Sequence, residues 1–118
     1  MTIAARFRCI SKLLWLMQAG ALWWLFLVPL TPLPDISLVG LDKVVHALLF
    51  LWLTLTALWV WHRTAVVYAL LVFGALIELT QGLTPYRSPE MLDWLADAIG
   101  VLLAWCFWRY KLSAKSVC

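Results

Sequence analysis

Four long stretches of this sequence contain almost no charged residues. These stretches span residues 13–34, 44–62, 64–86 and 91–108. Each is close to the roughly 20 residues that an α-helix needs to cross the hydrocarbon core of a bilayer. The strands of a membrane β-barrel would instead give short segments of alternating polarity, and such segments are absent. The sequence therefore predicts an all-α integral membrane four-helix bundle, with helices at about 13–30, 42–61, 64–81 and 89–109.

The composition excludes a soluble protein. Of the 118 residues, 65% are hydrophobic and only 13% are charged, whereas soluble domains are nearer half apolar and a quarter charged. A soluble domain of this length has too much surface to hide that much apolar area. We therefore interpret residues 1–118 as a single membrane domain. The net charge of +3 does not indicate nucleic-acid binding, because the basic residues lie at the predicted helix ends.

The positions of Lys and Arg predict the orientation of the helices. With four spans, both termini and the turn between the second and third helices lie on one side of the membrane. Of the nine Lys and Arg residues, all except Lys43 and Arg87 fall on that side. The others are Arg6, Arg8, Lys12, Arg63, Arg109, Lys111 and Lys115. Cytoplasmic segments carry such an excess, so we expect the N-terminus and the C-terminus to be cytoplasmic.

The acidic residues gather in the opposite, outer half of the predicted bundle. They are Asp35, Asp42, Glu78, Glu90, Asp93 and Asp97, and they are accompanied by Lys43, His46, Gln81 and Arg87. A charge inside a span is costly unless it faces the bundle and has a partner. Within each helix the polar residues are spaced by three or four positions, which puts them on one face. This pattern predicts one polar pocket open to the outer leaflet, with Glu90 as a helix-capping residue and Asp35 in a loop.

These motifs together resemble the VanZ-like family of small bacterial membrane proteins. The matching motifs are Asp42-Lys43-x-x-His46-x-x-x-Phe50, Glu78-x-x-Gln81, Pro85-x-Arg87, and then Asp93 and Gly100. The resemblance covers about residues 35–104. The family usually has Asn four residues after the aspartate of the fourth helix, where this chain has Asp97. That difference adds an ionisable group within the membrane.

The resemblance implies a multi-pass protein of the bacterial cytoplasmic (inner) membrane with a role in the cell envelope. The founding member of the family is associated with teicoplanin resistance, so altered glycopeptide sensitivity is an implied phenotype. The resemblance assigns no catalytic residues. Together with the predicted pocket, it indicates these ligand-binding candidates: Asp42, Lys43, His46, Glu78, Gln81, Arg87, Asp93 and Asp97.

Several functions are compatible with such a pocket. We favour recognition of an envelope lipid or lipid-linked precursor, with the cationic side chains holding its phosphate. The first alternative is a lipid-modifying enzyme, with catalytic candidates His46 as general acid or base and Asp93 or Asp97 as its orienting carboxylate. The others are a small proton-coupled transporter that depends on Asp97, and an accessory subunit whose pocket only stabilises the bundle. A second copy or another membrane protein is a possible partner.

A metal cofactor is not expected from the sequence. His46, Glu78, Asp93 and Asp97 offer nitrogen and oxygen ligands of the kind that metals bind. However, the chain has no compact two-histidine spacing such as H-E-x-x-H.

Overall fold

The computed structural model describes residues 1–28, 39–85 and 90–116. Within these residues the chain is all-α and forms four helices. They are α1 (Ile3–Leu27), α2 (Val39–Trp61), α3 (Ala65–Gly82) and α4 (Met91–Ser116). All four are long and apolar enough to cross a membrane. The predicted fold class is therefore confirmed, whereas the cytoplasmic placement of the termini stays a prediction.

The predicted bounds of α1 and α4 are wrong at the ends that carry basic residues. Helix α1 begins at Ile3 rather than at residue 13, and α4 continues to Ser116 rather than ending at 109. The prediction followed the apolar stretches, but a helix does not need to stop where the hydrocarbon core ends. The Thr2 hydroxyl accepts a hydrogen bond from the Ala5 backbone N–H (3.3 Å) and caps the longer α1. The polar turns of both helices are thus helical extensions of the spans.

Smaller corrections apply to the ends near the acidic residues. Helix α1 ends at Leu27 rather than 30, with Val28 extended, and α2 begins at Val39 rather than 42. Helix α3 agrees with the prediction to within one residue at each end. Helix α4 begins at Met91 rather than 89, because the Glu90 carbonyl already accepts the first helical hydrogen bonds. These starts decide how deep the polar residues lie in the bundle.

Helix α2 packs most extensively against α4, and it also contacts α1 and α3. Gly100 lets the α2 and α4 backbones approach closely, because a Cβ at this position would collide with the carbonyl oxygen of Ala47. Helix α1 contacts α2 and α3, and it makes no close approach to α4 within the described ranges. The bundle therefore has α2 and α3 at its centre and α1 and α4 on opposite sides.

Tryptophan side chains connect neighbouring helices through their indole N–H groups. Trp15 donates to the Leu53 carbonyl (3.1 Å) and joins α1 to α2. Trp23 donates to the Thr80 hydroxyl (3.0 Å) and joins α1 to α3. Because lipid offers no hydrogen-bond partners, such bonds between helices contribute to holding a membrane bundle together.

Candidate functional site

Ionisable side chains from three helices meet at the end of the bundle where α2 and α4 begin and α3 ends. We call this group the polar cluster. It consists of Asp42, Lys43, His46, Glu78, Glu90, Asp93 and Asp97. Its members range from half-exposed carboxylates at the mouth of the cluster to almost completely buried groups deeper in the bundle.

Lys43 lies between two carboxylates of the α4 end. Its Nζ is 3.1 Å from Glu90 Oε2 and 3.1 Å from Asp93 Oδ1. Glu90 is half-exposed, whereas Asp93 is buried. The ammonium group therefore joins the start of α2 to the start of α4 and neutralises charge that would otherwise be isolated.

His46 and Asp97 form the deepest pair of the polar cluster. His46 Nδ1 is 2.9 Å from Asp97 Oδ1, and each residue is only 1% exposed. The imidazole also stacks on the Phe26 ring of α1, with centroids 4.3 Å apart. The pair meets because His46 is about 10 Å into α2 and Asp97 about 9 Å into α4, at the usual rise of 1.5 Å per residue.

Glu78 brings α3 into the polar cluster. Its Oε2 accepts a hydrogen bond from the Glu90 backbone N–H (3.1 Å), which ties α3 to the start of α4. Gly74, one turn earlier, lies against Asp97, so that an added Cβ would be 3.3 Å from Asp97 Oδ2. The small residue allows α3 to approach the His46–Asp97 pair.

Three buried side-chain atoms have no hydrogen-bond partner among the described residues, and all three belong to the polar cluster. They are His46 Nε2, Glu78 Oε1 and Asp97 Oδ2. Buried polar atoms in native proteins are normally paired, and leaving one unpaired costs about 1–3 kcal/mol. Because these unpaired atoms lie together, the polar cluster is the candidate site for a ligand.

The structure brings most of the predicted site residues together. Asp42 is half-exposed at the mouth, with its Oδ1 4.0 Å from His46 Nε2. Gln81 is buried, and its Nε2 donates to the Phe26 carbonyl (2.9 Å), so this group joins α3 to α1. Arg87 and Asp35 lie outside the described residues.

Two sets of side chains in the polar cluster are close enough to hold a metal ion. One is Asp42, His46 and Asp93, and the other is His46, Glu78 and Asp97. Within each set the ligand atoms lie within 4.8 Å of one another. The cluster therefore offers ligands for a cation. It also offers the ammonium group of Lys43 and the imidazole of His46, which binds Asp97.

A protein-family model described as VanZ/LLP1 matches residues 2–112. The chain belongs to this family. The match confirms the sequence resemblance and extends it to α1. The matched region contains α1, α2 and α3 and all but about the last turn of α4. No curated protein and no solved structure matches the chain. This VanZ/LLP1 protein is a multi-pass membrane protein with four candidate spans.

Two residues of this VanZ/LLP1 site were missed by sequence reasoning. The sequence pattern predicts only a capping role for Glu90, yet its carboxylate binds Lys43, which lies 47 positions earlier. Phe26 is one of many apolar residues of α1, and nothing in its local sequence indicates that it stacks on His46. A signal for Glu90 was available, because a lysine at a span entrance needs acidic partners from another helix.

Proposed function

We propose that this protein binds the polar headgroup of an envelope lipid, or of a lipid-linked envelope precursor, in the polar cluster. The observation that carries the proposal is the group of unpaired buried atoms, His46 Nε2, Glu78 Oε1 and Asp97 Oδ2, beneath a half-exposed mouth. Beside the cluster, the outward faces of α2 and α4 carry exposed apolar side chains. A ligand suited to both regions is an amphiphile with a polar head and hydrocarbon tails.

The cationic side chains suit a phosphate. An ammonium group has three N–H donors, and Lys43 uses two of them on Glu90 and Asp93. The third remains for a phosphate oxygen, and His46 Nε2, when protonated, offers another donor. Arg87 lies three residues before Glu90 in the sequence and is the next candidate for a phosphate contact.

The unpaired carboxylate oxygens suit hydroxyl or amine groups. Glu78 Oε1 and Asp97 Oδ2 are acceptors when ionised and are buried within the bundle. Sugar hydroxyls or an amine next to the phosphate would satisfy these atoms, which a bare phosphate cannot do. The proposed headgroup therefore carries both a phosphate and hydrogen-bond donors.

The outward faces of α2 and α4 provide a surface for the tails. Val44 and Leu48 on α2, and Leu92 and Leu95 on α4, are exposed apolar side chains beside the polar cluster. A lipid whose head occupies the cluster can therefore keep its tails against apolar side chains. By the predicted orientation, this lipid comes from the outer leaflet of the bacterial cytoplasmic membrane.

Native mass spectrometry of the protein in mild detergent tests the proposal. Wild type is offered a polyprenyl phosphate, a phosphatidylglycerol and an uncharged diacylglycerol, and it should retain the phosphate-bearing lipids preferentially. Lys43→Gln should weaken that retention about tenfold, because a hydrogen bond to a charged group contributes about 1.5–3 kcal/mol. Lys43→Arg should largely restore it.

Lys111→Gln is the matched control, since it removes a lysine from the last turns of α4, away from the polar cluster. Equal retention of phosphate-bearing lipid by wild type and a folded Lys43→Gln variant would contradict the proposal. Retention of the uncharged diacylglycerol by wild type as strongly as the phosphate-bearing lipids would contradict it as well.

A second candidate function is a lipid-modifying enzyme, and the His46–Asp97 pair favours it. A histidine whose Nδ1 binds a carboxylate has an oriented ring, and here the other nitrogen is unpaired. That arrangement suits general acid–base catalysis by Nε2. Conversion of a radiolabelled lipid precursor by wild type but not by His46→Gln is the expected result, and no conversion by wild type contradicts the enzyme.

We further propose that the protein affects teicoplanin sensitivity through its lipid ligand. Cells that express wild type should differ in teicoplanin sensitivity from cells that express equal amounts of His46→Gln. Identical inhibitory concentrations for the two would contradict this role.

A further inference from the structure

The described part of the polar cluster has more negative than positive charge. Its carboxylates are Asp42, Glu78, Glu90, Asp93 and Asp97. Lys43 is the one residue of the cluster that carries a permanent positive charge. Unbalanced charge within a span is costly, and three of these residues, Glu78, Asp93 and Asp97, are more than nine-tenths buried. A bound divalent cation would reduce the excess.

The histidine in this cluster is prepared for a metal ion. When Asp97 is ionised, its Oδ1 accepts a hydrogen bond from His46 Nδ1–H at 2.9 Å, and the lone pair of neutral His46 is then on Nε2. His46 is 1% exposed, and its Nε2 has no hydrogen-bond partner among the described residues. Metal-binding histidines typically have this arrangement, in which a carboxylate holds the other ring nitrogen.

One carboxylate lies next to that nitrogen, and a second lies close to the imidazole ring. Asp42 Oδ1 is 4.0 Å from His46 Nε2. Together with Asp93 these two residues form a possible ligand set, and the ligand atoms of the set lie within 4.8 Å of one another. Ligands bound at 2.0–2.2 Å from a tetrahedral ion are about 3.4 Å apart, so a small inward movement of half-exposed Asp42 completes the site. We propose that His46 Nε2, Asp42 and Asp93 bind a divalent metal ion of the zinc or manganese type.

Lys43 does not block this site. Its Nζ is equally close to Glu90 and Asp93, at 3.1 Å from each. When an ion binds Asp93, Lys43 keeps its pair with half-exposed Glu90. One nitrogen and two carboxylate oxygens are ligands that zinc, manganese and ferrous iron accept.

The alternative set of His46, Glu78 and Asp97 is less suitable. All three are buried, and two of them already bind each other. The set that contains Asp42 opens to the half-exposed mouth, through which an ion enters from water. This inference does not depend on lipid binding. It excludes both the acid–base role of Nε2 and the donation of a hydrogen bond from Nε2 to a phosphate, because a metal ion would occupy the same lone pair.

Metal binding is measured on the full chain in mild detergent, after removal of bound ions with a chelator. Zn²⁺ and Mn²⁺ are offered without added lipid, and the bound ion is counted by mass spectrometry and titrated by calorimetry. Wild type should retain a single ion per chain. Asp42→Asn should weaken the affinity at least about tenfold. Asp97→Asn should weaken it about 10–100-fold, because Asp97 holds the other ring nitrogen of the metal-binding histidine.

The Lys43→Gln, Glu90→Gln double variant is compared with Lys43→Gln alone. The second change removes a carboxylate that belongs to neither ligand set, and no ammonium group is left to compete for Asp93. The two variants should bind the metal with affinities within about threefold of each other. A further loss as large as that of Asp42→Asn would show attraction by bulk negative charge and overturn the proposed site. Failure of wild type to retain an ion would overturn it as well.

Glu78→Gln separates the two ligand sets. If Glu78→Gln abolishes binding while Asp42→Asn retains it, the assignment to Asp42 and Asp93 is wrong. Because Asp42 is half-exposed, Asn at this position is not expected to disturb folding, and tryptophan fluorescence checks each variant. Lipid retention without metal binding would overturn this inference and leave the proposed headgroup site standing.

Discussion

Replacing Gly100 with Ala tests whether the close approach of α2 and α4 holds the site together. A Cβ at Gly100 would lie 3.0 Å from both the Ala47 carbonyl carbon and the Leu51 nitrogen, and still closer to the Ala47 oxygen. All three are backbone atoms of α2, so no flexible side chain can move aside. The helices must separate, and overpacking of this kind costs about 1–3 kcal/mol.

The expected magnitude includes an opposing effect. Alanine is favoured over glycine within a helix by about 0.5–1 kcal/mol. Gly100→Ala should therefore destabilise the protein by up to about 2 kcal/mol. Gly20→Ala is the matched control in α1, since a Cβ there meets nothing within 4 Å. It should instead stabilise the protein by up to about 1 kcal/mol.

The free energy of unfolding of both variants is measured in mixed detergent with an increasing fraction of dodecyl sulfate. Tryptophan fluorescence is the readout. The free energies of unfolding should differ by about 1–3 kcal/mol, with Gly100→Ala the less stable. Separation of the helices should also lengthen the His46–Asp97 hydrogen bond, because Ala47 adjoins His46 and Gly100 lies one turn from Asp97. Equal stability of the two variants would refute the close approach of α2 and α4.

Two further predictions rest on individual contacts, and a third tests the orientation of the helices. Gly74→Ala should displace the carboxylate of Asp97, because the added Cβ would lie 3.3 Å from Asp97 Oδ2. It should weaken zinc binding in the calorimetric assay and leave the free energy of unfolding almost unchanged. Trp23→Phe removes the hydrogen bond to Thr80 and should cost about 0.5–1.5 kcal/mol in the unfolding assay, whereas exposed Trp24→Phe should cost less. A green fluorescent protein fused to the C-terminus should fluoresce and a fused alkaline phosphatase should stay inactive; the opposite pattern would contradict cytoplasmic termini.

The number and type of helices were predictable because the apolar stretches are long and charges within them are costly. The extent of α1 and α4 was not, since the turns with Arg6 and Lys111 are helical without being apolar. Hydrophobicity reports where a helix lies in lipid, whereas hydrogen bonding within the chain decides where it begins and ends.

The membership of the polar cluster was largely predictable, and its pairing was not. Spacing along each helix put His46 and Asp97 on inward faces, but the predicted helix starts placed Asp97 deeper than His46. The observed starts at Val39 and Met91 bring the two to similar depths. Pairing of Lys43 with Glu90 depends on how far α4 lies from α2, which no local pattern specifies.

The distance along the chain between His46 and Asp97 has a consequence for synthesis of the protein. The two are 51 residues apart, and ribosomes add roughly 5–20 residues per second. His46 therefore enters the membrane some 3–10 s before its carboxylate partner exists. During that interval α2 must be held by its apolar residues, or by the insertion machinery, with an unpaired imidazole. The final helix completes the site, so a nascent chain interrupted before α4 carries an exposed polar defect that proteolytic quality control can recognise.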